Sequence, residues 1–159
     1  MNLEDFETIF RSSEMKSWLN WEAILNQKCE VREIYSRSPE ELRNIYTVWY
    51  RTPQGENGDW RNSEDTPLRL GEVTTTAGTW PADRKNRYNY FRETFSNLGD
   101  PLMLVLPSYS PNKQDVILLD GTHRAAAALA AKVELRLMIF IVDGPCDSTI
   151  LPDLNHYSS

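Results

Sequence analysis

The sequence predicts a mixed α+β protein: a small mixed sheet carrying one alanine-rich helix, preceded by a helical N-terminal lobe. Three observations predict it. Short apolar runs in the second half, PLMLVLPSY, VILLD and ELRLMIFIV, are separated by turn-like or helix-like stretches. The first half carries helix-start signals and apolar residues at helical spacing. A length of 159 residues at 40% hydrophobic content suits one core, or one core with an added lobe. The expected organisation is a helical lobe and long loop over 1–65, a sheet domain over 66–143 and an irregular tail over 144–159.

Residues 3–10 read as a short helix with Leu3, Phe6, Ile9 and Phe10 on one face. SSEMKSWLNWEAILNQK reads as further helix, capped by Ser12 or Ser13, with an apolar stripe of Met15, Trp18, Leu19, Trp21 and Leu25. CEVREIY reads as a short strand. In SPEELRNIYTVWY, Ser38 is placed to cap, Pro39 takes the first helical position and Glu41 closes a capping box. Leu42, Ile45, Tyr46, Trp49 and Tyr50 follow at helical spacing, which predicts an amphipathic helix over 39–50 with an aromatic face. RTPQGENGDWRNSEDTP, 51–67, reads as a long loop or lobe boundary.

LRLGEV then reads as a short strand ending at Glu72, and TTTAGTWP as a turn or loop. The spacing of Tyr88, Phe91, Phe95 and Leu98 predicts a helix over 83–98, with Gly99 at its stop. PLMLVLPSY, VILLD and ELRLMIFIV are strands; the last is apolar on both faces after Arg136 and is expected to be central. THRAAAALAAK is a helix. Residues 116–142 therefore read as strand–helix–strand with the two strands parallel.

The formal net charge is -6, with 13 acids against 8 bases in residues 1–65 and 10 against 9 in the rest. That balance argues against a protein that grips nucleic acid over its whole surface. Cys29 and Cys146 are far apart and have no metal-ligand spacing, so two reduced thiols in a cytoplasmic protein are expected. The acidic start MNLEDFETIF lacks the pattern of a signal peptide, and LMIFIV is far too short to span a membrane, so no membrane partner is expected.

The stretch with the most chemistry is LLDGTHRAAAAL, 118–129. Its polar residues fall where a strand ends and a helix begins. The first N–H groups of a helix have no internal partner, and the helix dipole adds positive potential there, which together favour an anion. Gly121 permits a tight turn and close approach. Thr122 is placed to cap the helix. His123 and Arg124 add donors, and the guanidinium suits bidentate contact with phosphate. Two potential cations at a helix N-terminus cost roughly 0.3–1 kcal/mol each, which makes more sense if an anion arrives. Asp120 is placed to hold Mg²⁺ or to orient His123. The alanines let the helix lie close on the sheet.

DPLMLVLPSY…VILLDGTHRAAAALAAKVELRLMIFIV resembles the core of the ParB/sulfiredoxin superfamily, over roughly residues 66–143. Gly121-Thr122-His123-Arg124 with Ala127 matches the G-x-x-R-x-x-A phosphate motif of ParB-type domains, and the Asp-Gly-x-His-Arg form is closest to the superfamily's free-serine kinases. The resemblance implies a phosphate-binding role for Gly121, Thr122, His123 and Arg124 toward ATP or another nucleotide with Mg²⁺. Thr122 stands where sulfiredoxins need a cysteine, which removes sulfinic-acid reduction. No helix-turn-helix is recognisable after residue 143, which argues against centromere binding.

Arg84, Lys85, Arg87 and Arg92 form the one basic cluster, and Arg84 or Arg87 is expected to face the same pocket as Arg124. The superfamily's kinases imply an early glutamate as general base; Glu72 is the candidate and Glu93 its alternative. Trp80 is read as core, with a pocket wall as the other reading. The expected function is nucleotide-phosphate binding with phosphoryl transfer or nucleotide hydrolysis, catalysed by Asp120, His123 and Glu72. The alternatives are a ParB-like nuclease or DNA-associated protein, and a non-catalytic interaction module of a mobile element or phage that presents the aromatic helix 39–50 and loop 51–67.

Overall fold

A computed structural model describes residues 1–11, 15 and 18–159. It shows a mixed α+β fold built on one seven-stranded sheet. The elements are α1 (Leu3–Phe10), α2 (Trp21–Asn26), β1 (Glu30–Ser36), α3 (Pro39–Arg43), β2 (Tyr46–Arg51), β3 (Asn57–Gly58) and β4 (Thr66–Arg69). A 3-10 segment, Leu70–Thr79, leads to α4 (Ala82–Ser96), β5 (Leu102–Ser110), β6 (Ile117–Leu118), α5 (Thr122–Ala131), β7 (Leu135–Asp143) and a last 3-10 turn, Pro152–His156. The strand order is β1-β7-β5-β6-β2-β3, with β4 also paired to β2.

β5 and β7 run parallel in full register from Leu102↔Leu135 to Ser110↔Asp143, and β1 lies antiparallel on the other side of β7. β7 is thus central, as its unbroken apolar run predicts. Period-two alternation divides its residues between two cores. Leu135, Leu137, Ile139 and Ile141 join Leu104 and Leu106 beneath the alanines of α5 and Tyr88 and Phe95 of α4. Phe140 and Val142 join Tyr109 against Phe6, Phe10, Ile24 and the C-terminal Ile150, Leu151 and Leu154. The second cover stops short, and Tyr35, Met103 and Val105 remain exposed on that face.

Four expectations are corrected. The helix over 39–50 ends at Arg43, Ser38 makes no side-chain cap, and Tyr46–Arg51 is strand β2. The apolar residues there fit a helical period, but YTVWY is all aromatic and β-branched, and pairing with β3, β4 and β6 wins. Residues 1–65 are not a helical lobe, because β1, β2 and β3 belong to the common sheet. The strands either side of α5 are not parallel: β6 lies antiparallel to β5, which is itself parallel to β7. A short turn joins β5 to β6, and strands so joined pair antiparallel; α5 is part of the crossover from β5 to β7. Loop 51–67 contains β3 and the start of β4, both folded back on β2.

Smaller differences follow the same logic. α2 is capped by Asn20, whose side chain accepts the Ala23 N–H at 3.1 Å; the expected caps Ser12 and Ser13 lie outside the described residues. Trp18 is exposed rather than part of a buried stripe. α4 stops at Ser96, three residues before Gly99, and Leu98 is exposed. The C-terminal segment is irregular but docked, with Ile150, Leu151, Asp153 and Leu154 buried.

Candidate anion site at the start of α5

Gly121 ends the chain's approach to α5 at φ +92°, a left-handed conformation that side chains rarely adopt. A Cβ there would lie 3.3 Å from both Leu106 Cδ2 and Arg124 Nη2, so the glycine also lets that guanidinium fold back over the turn. The Asp120 carboxylate braces the turn: Oδ1 accepts the Gly121 N–H at 2.8 Å and Oδ2 stands 4.0 Å from Arg124 Nη2. Gly121, not Thr122, is the N-cap, and no side chain caps α5. Thr122 falls inside the helix and is only 6% exposed, which corrects its expected capping role. No acidic residue sits in the first turn. The N–H groups at this end therefore keep the anion preference of an uncapped helix.

The structure adds two partners from distant elements. His123 packs edge-to-face on Trp49 of β2, with ring centroids 4.9 Å apart and planes at 76°. Arg84 of α4 lies over the same indole, its guanidinium carbon 4.1 Å from the centroid. Arg84 Nη1 donates to Asn57 Oδ1 of β3 at 2.7 Å. Thus α4 and α5 meet on one indole of β2, and β3 holds Arg84 in place there. Among the described residues Arg84 forms no ion pair, and burial pushes its pKa below the ordinary arginine value. Trp80 packs edge-to-face on Trp49 at 5.4 Å and donates its Nε1–H to Thr76 Oγ1 at 2.9 Å, which makes it a core residue and not a pocket wall.

The expected site residues separate accordingly. Asp120, Gly121, His123 and Arg124 share the start of α5, and Arg84 reaches His123 through Trp49. Arg87 is exposed on α4 and is not part of this group. Glu72 does not end a strand: it lies in the first turn of the 3-10 segment, where Oε1 accepts the Arg69 N–H at 3.0 Å. Its carboxylate caps that turn, and no hydrogen bond or ion pair shown among the described residues joins it to Asp120–Arg124. Glu93 is exposed. Trp49 and Asn57 are the residues that sequence reasoning missed. The aromatic and β-branched character of YTVWY could have exposed Trp49 as a strand residue; nothing in the sequence marks Asn57.

A second polar cluster lies on the other side of β2. The Tyr50 hydroxyl donates to Asp153 Oδ2 at 2.5 Å, with Asp153 only 2% exposed. The His156 ring lies 4.8 Å from that of Tyr50, and its Nε2 is 2.7 Å from the Trp60 carbonyl oxygen. Burial raises the pKa of Asp153, and the Tyr50 hydroxyl opposes the rise. Both cysteines are free thiols whose pKa values burial raises. Among the described residues no three His, Cys, Asp or Glu gather as metal ligands, and no helix is long and apolar enough to cross a membrane.

Comparison of the chain with protein-family models, with curated proteins and with solved structures returns no match.

Proposed function

We propose that this protein binds the phosphates of a nucleotide at the start of α5 and uses the site for phosphoryl transfer or nucleotide hydrolysis. The observation that carries the reading is Arg84: a half-buried guanidinium held by one amide oxygen and an indole face, in no ion pair among the described residues, with the neighbouring Asp83 acting on it only through its field. Desolvating an ion costs several kcal/mol, and a cation–π contact returns only about 0.5–2 kcal/mol. An arriving anion supplies a countercharge in direct contact. Arg124 and the N–H groups of residues 122–124 then hold phosphate oxygens, and His123 donates to another. Arg124 is already drawn toward Asp120, so phosphate competes with that carboxylate.

The donor set fits Mg²⁺ in one manner. Asp120 Oδ2 is the open carboxylate oxygen of the turn, and Mg²⁺ is commonly held by one carboxylate together with substrate phosphates. Bound there, the ion would neutralise phosphate charge. The resemblance to the ParB/sulfiredoxin superfamily supports the same reading, through Gly121, Arg124 and Ala127. Isothermal titration with ATP, ADP and CTP, with and without Mg²⁺, tests it. Submillimolar binding is expected, and the absence of binding at millimolar nucleotide removes the proposal.

A further inference from the structure

We infer that the site reads the phosphate chain of its ligand and not the base, so that its substrate class is polyphosphate esters in general, with inorganic tripolyphosphate an equal ligand. The inference rests on the phosphate-binding reading and goes beyond it in excluding base recognition. Two observations carry it.

The first is the state of the aromatic side chains. A stacked base needs an open π-face. Trp49 is 8% exposed, with Arg84 over its ring and His123 and Trp80 set edge-to-face against it. Trp80 is 4% exposed and packs in turn on Tyr88, itself 8% exposed. Each ring is already committed to its neighbours. Tyr90 is the exposed aromatic of α4, but it follows Tyr88 by two residues and so points about 200° around the helix from it.

The second is the polarity of what remains. The helix N–H groups and both guanidinium groups are donors. Of the acceptors nearby, Asn57 Oδ1 takes Arg84 and Asp120 Oδ1 takes the Gly121 N–H, which leaves Asp120 Oδ2, 4.0 Å from Arg124 Nη2. Adenine and cytosine present amino donors at their edges, and reading those needs acceptors; guanine N7 and O6 can be read by donors alone, which makes GTP the stringent member of the comparison below. Phosphate oxygens are acceptors alone, and a donor set matches them whatever base they carry.

A stacked base contributes roughly five- to 150-fold in affinity. Without it the affinities of ATP, CTP, GTP and inorganic tripolyphosphate should agree within about threefold. Isothermal titration of the full chain with these four ligands, at one ionic strength and one Mg²⁺ concentration, makes the comparison, with adenosine as a base-only probe expected not to bind. Preference of tenfold or more for one nucleotide over another, or for ATP over tripolyphosphate, overturns the inference and leaves the phosphate site standing. Absence of binding by all four overturns both.

Discussion

Replacing Tyr50 with phenylalanine removes one oxygen atom from a sealed place. Tyr50 is 1% exposed, and its hydroxyl donates at 2.5 Å to the buried carboxylate of Asp153. Tyr50→Phe keeps the ring and the packing but withdraws a donor from a charged acceptor that water does not reach. A hydrogen bond to a charged group is worth about 1.5–3 kcal/mol. A chain of this length loses about 2–4 °C of melting temperature per kcal/mol, so a drop of roughly 3–12 °C is expected.

The pH dependence has a definite sign. The folded-state pKa of Asp153 is raised above its ordinary value of 3.8, so the stability this group contributes is present below that value and is lost as pH rises through the folded pKa. The hydroxyl offsets part of that loss by holding the ionised form. The cost of Tyr50→Phe should therefore be largest at neutral pH and shrink on acidification. Thermal unfolding followed by circular dichroism, at neutral pH and near pH 4, measures both effects. In an Asp153→Asn background the acceptor is no longer charged, so the same substitution should cost less, which a double-mutant cycle reads directly. A melting temperature unchanged within 1 °C, or a cost that grows in acid, would refute the reasoning.

Three further outcomes are expected. Gly121→Ala puts a Cβ at φ +92° and 3.3 Å from Leu106 and Arg124, and should cost about 1–2 kcal/mol in urea unfolding while weakening phosphate binding; unchanged values for both would contradict the cradle geometry. Arg84→Met should weaken nucleotide binding about tenfold or more yet leave unfolding stability within about 1 kcal/mol, because the charge removed has no ionic partner; calorimetric titration and urea melts separate the two. Trp49→Ala should cost about 3–5 kcal/mol, since it empties a buried site beneath both His123 and Arg84; a loss under about 1 kcal/mol in urea unfolding would show that the indole is not a structural support.

Much of the fold is legible in residue order. α1, α4 and α5 declare themselves through apolar spacing or alanine content, and β5 and β7 through long apolar runs. β2 is not legible in the same way, because Ile45, Tyr46, Trp49 and Tyr50 satisfy a helical period while strand partners far along the chain decide the outcome. The direction of β6 relative to β7 is hidden for a related reason: it follows from which neighbours each strand finds, and β5 stands between them. In the candidate site, Gly121 and Arg124 can be picked out from DGTHR because glycine and arginine carry their chemistry locally. Thr122 misleads, because a left-handed glycine takes the cap and the threonine becomes the first buried helical residue. Trp49 meets His123 across about seventy residues and Asn57 meets Arg84 across 27, and no local pattern can announce contacts made at such distances.

Strand β2 has an irregularity between Tyr46 and Tyr50, and the consecutive residues Trp49 and Tyr50 are both buried. One holds up Arg84 and His123; the next closes on Asp153 of the chain's last turn. The strand is a party wall with different tenants on its two sides. A slip by a single residue would carry the indole toward the acid and the phenol toward the cations, breaking both at once. Alignment of six residues in β2 therefore fixes where Arg84 and His123 meet, and the Tyr50–Asp153 contact ties that alignment to the docked C-terminal segment.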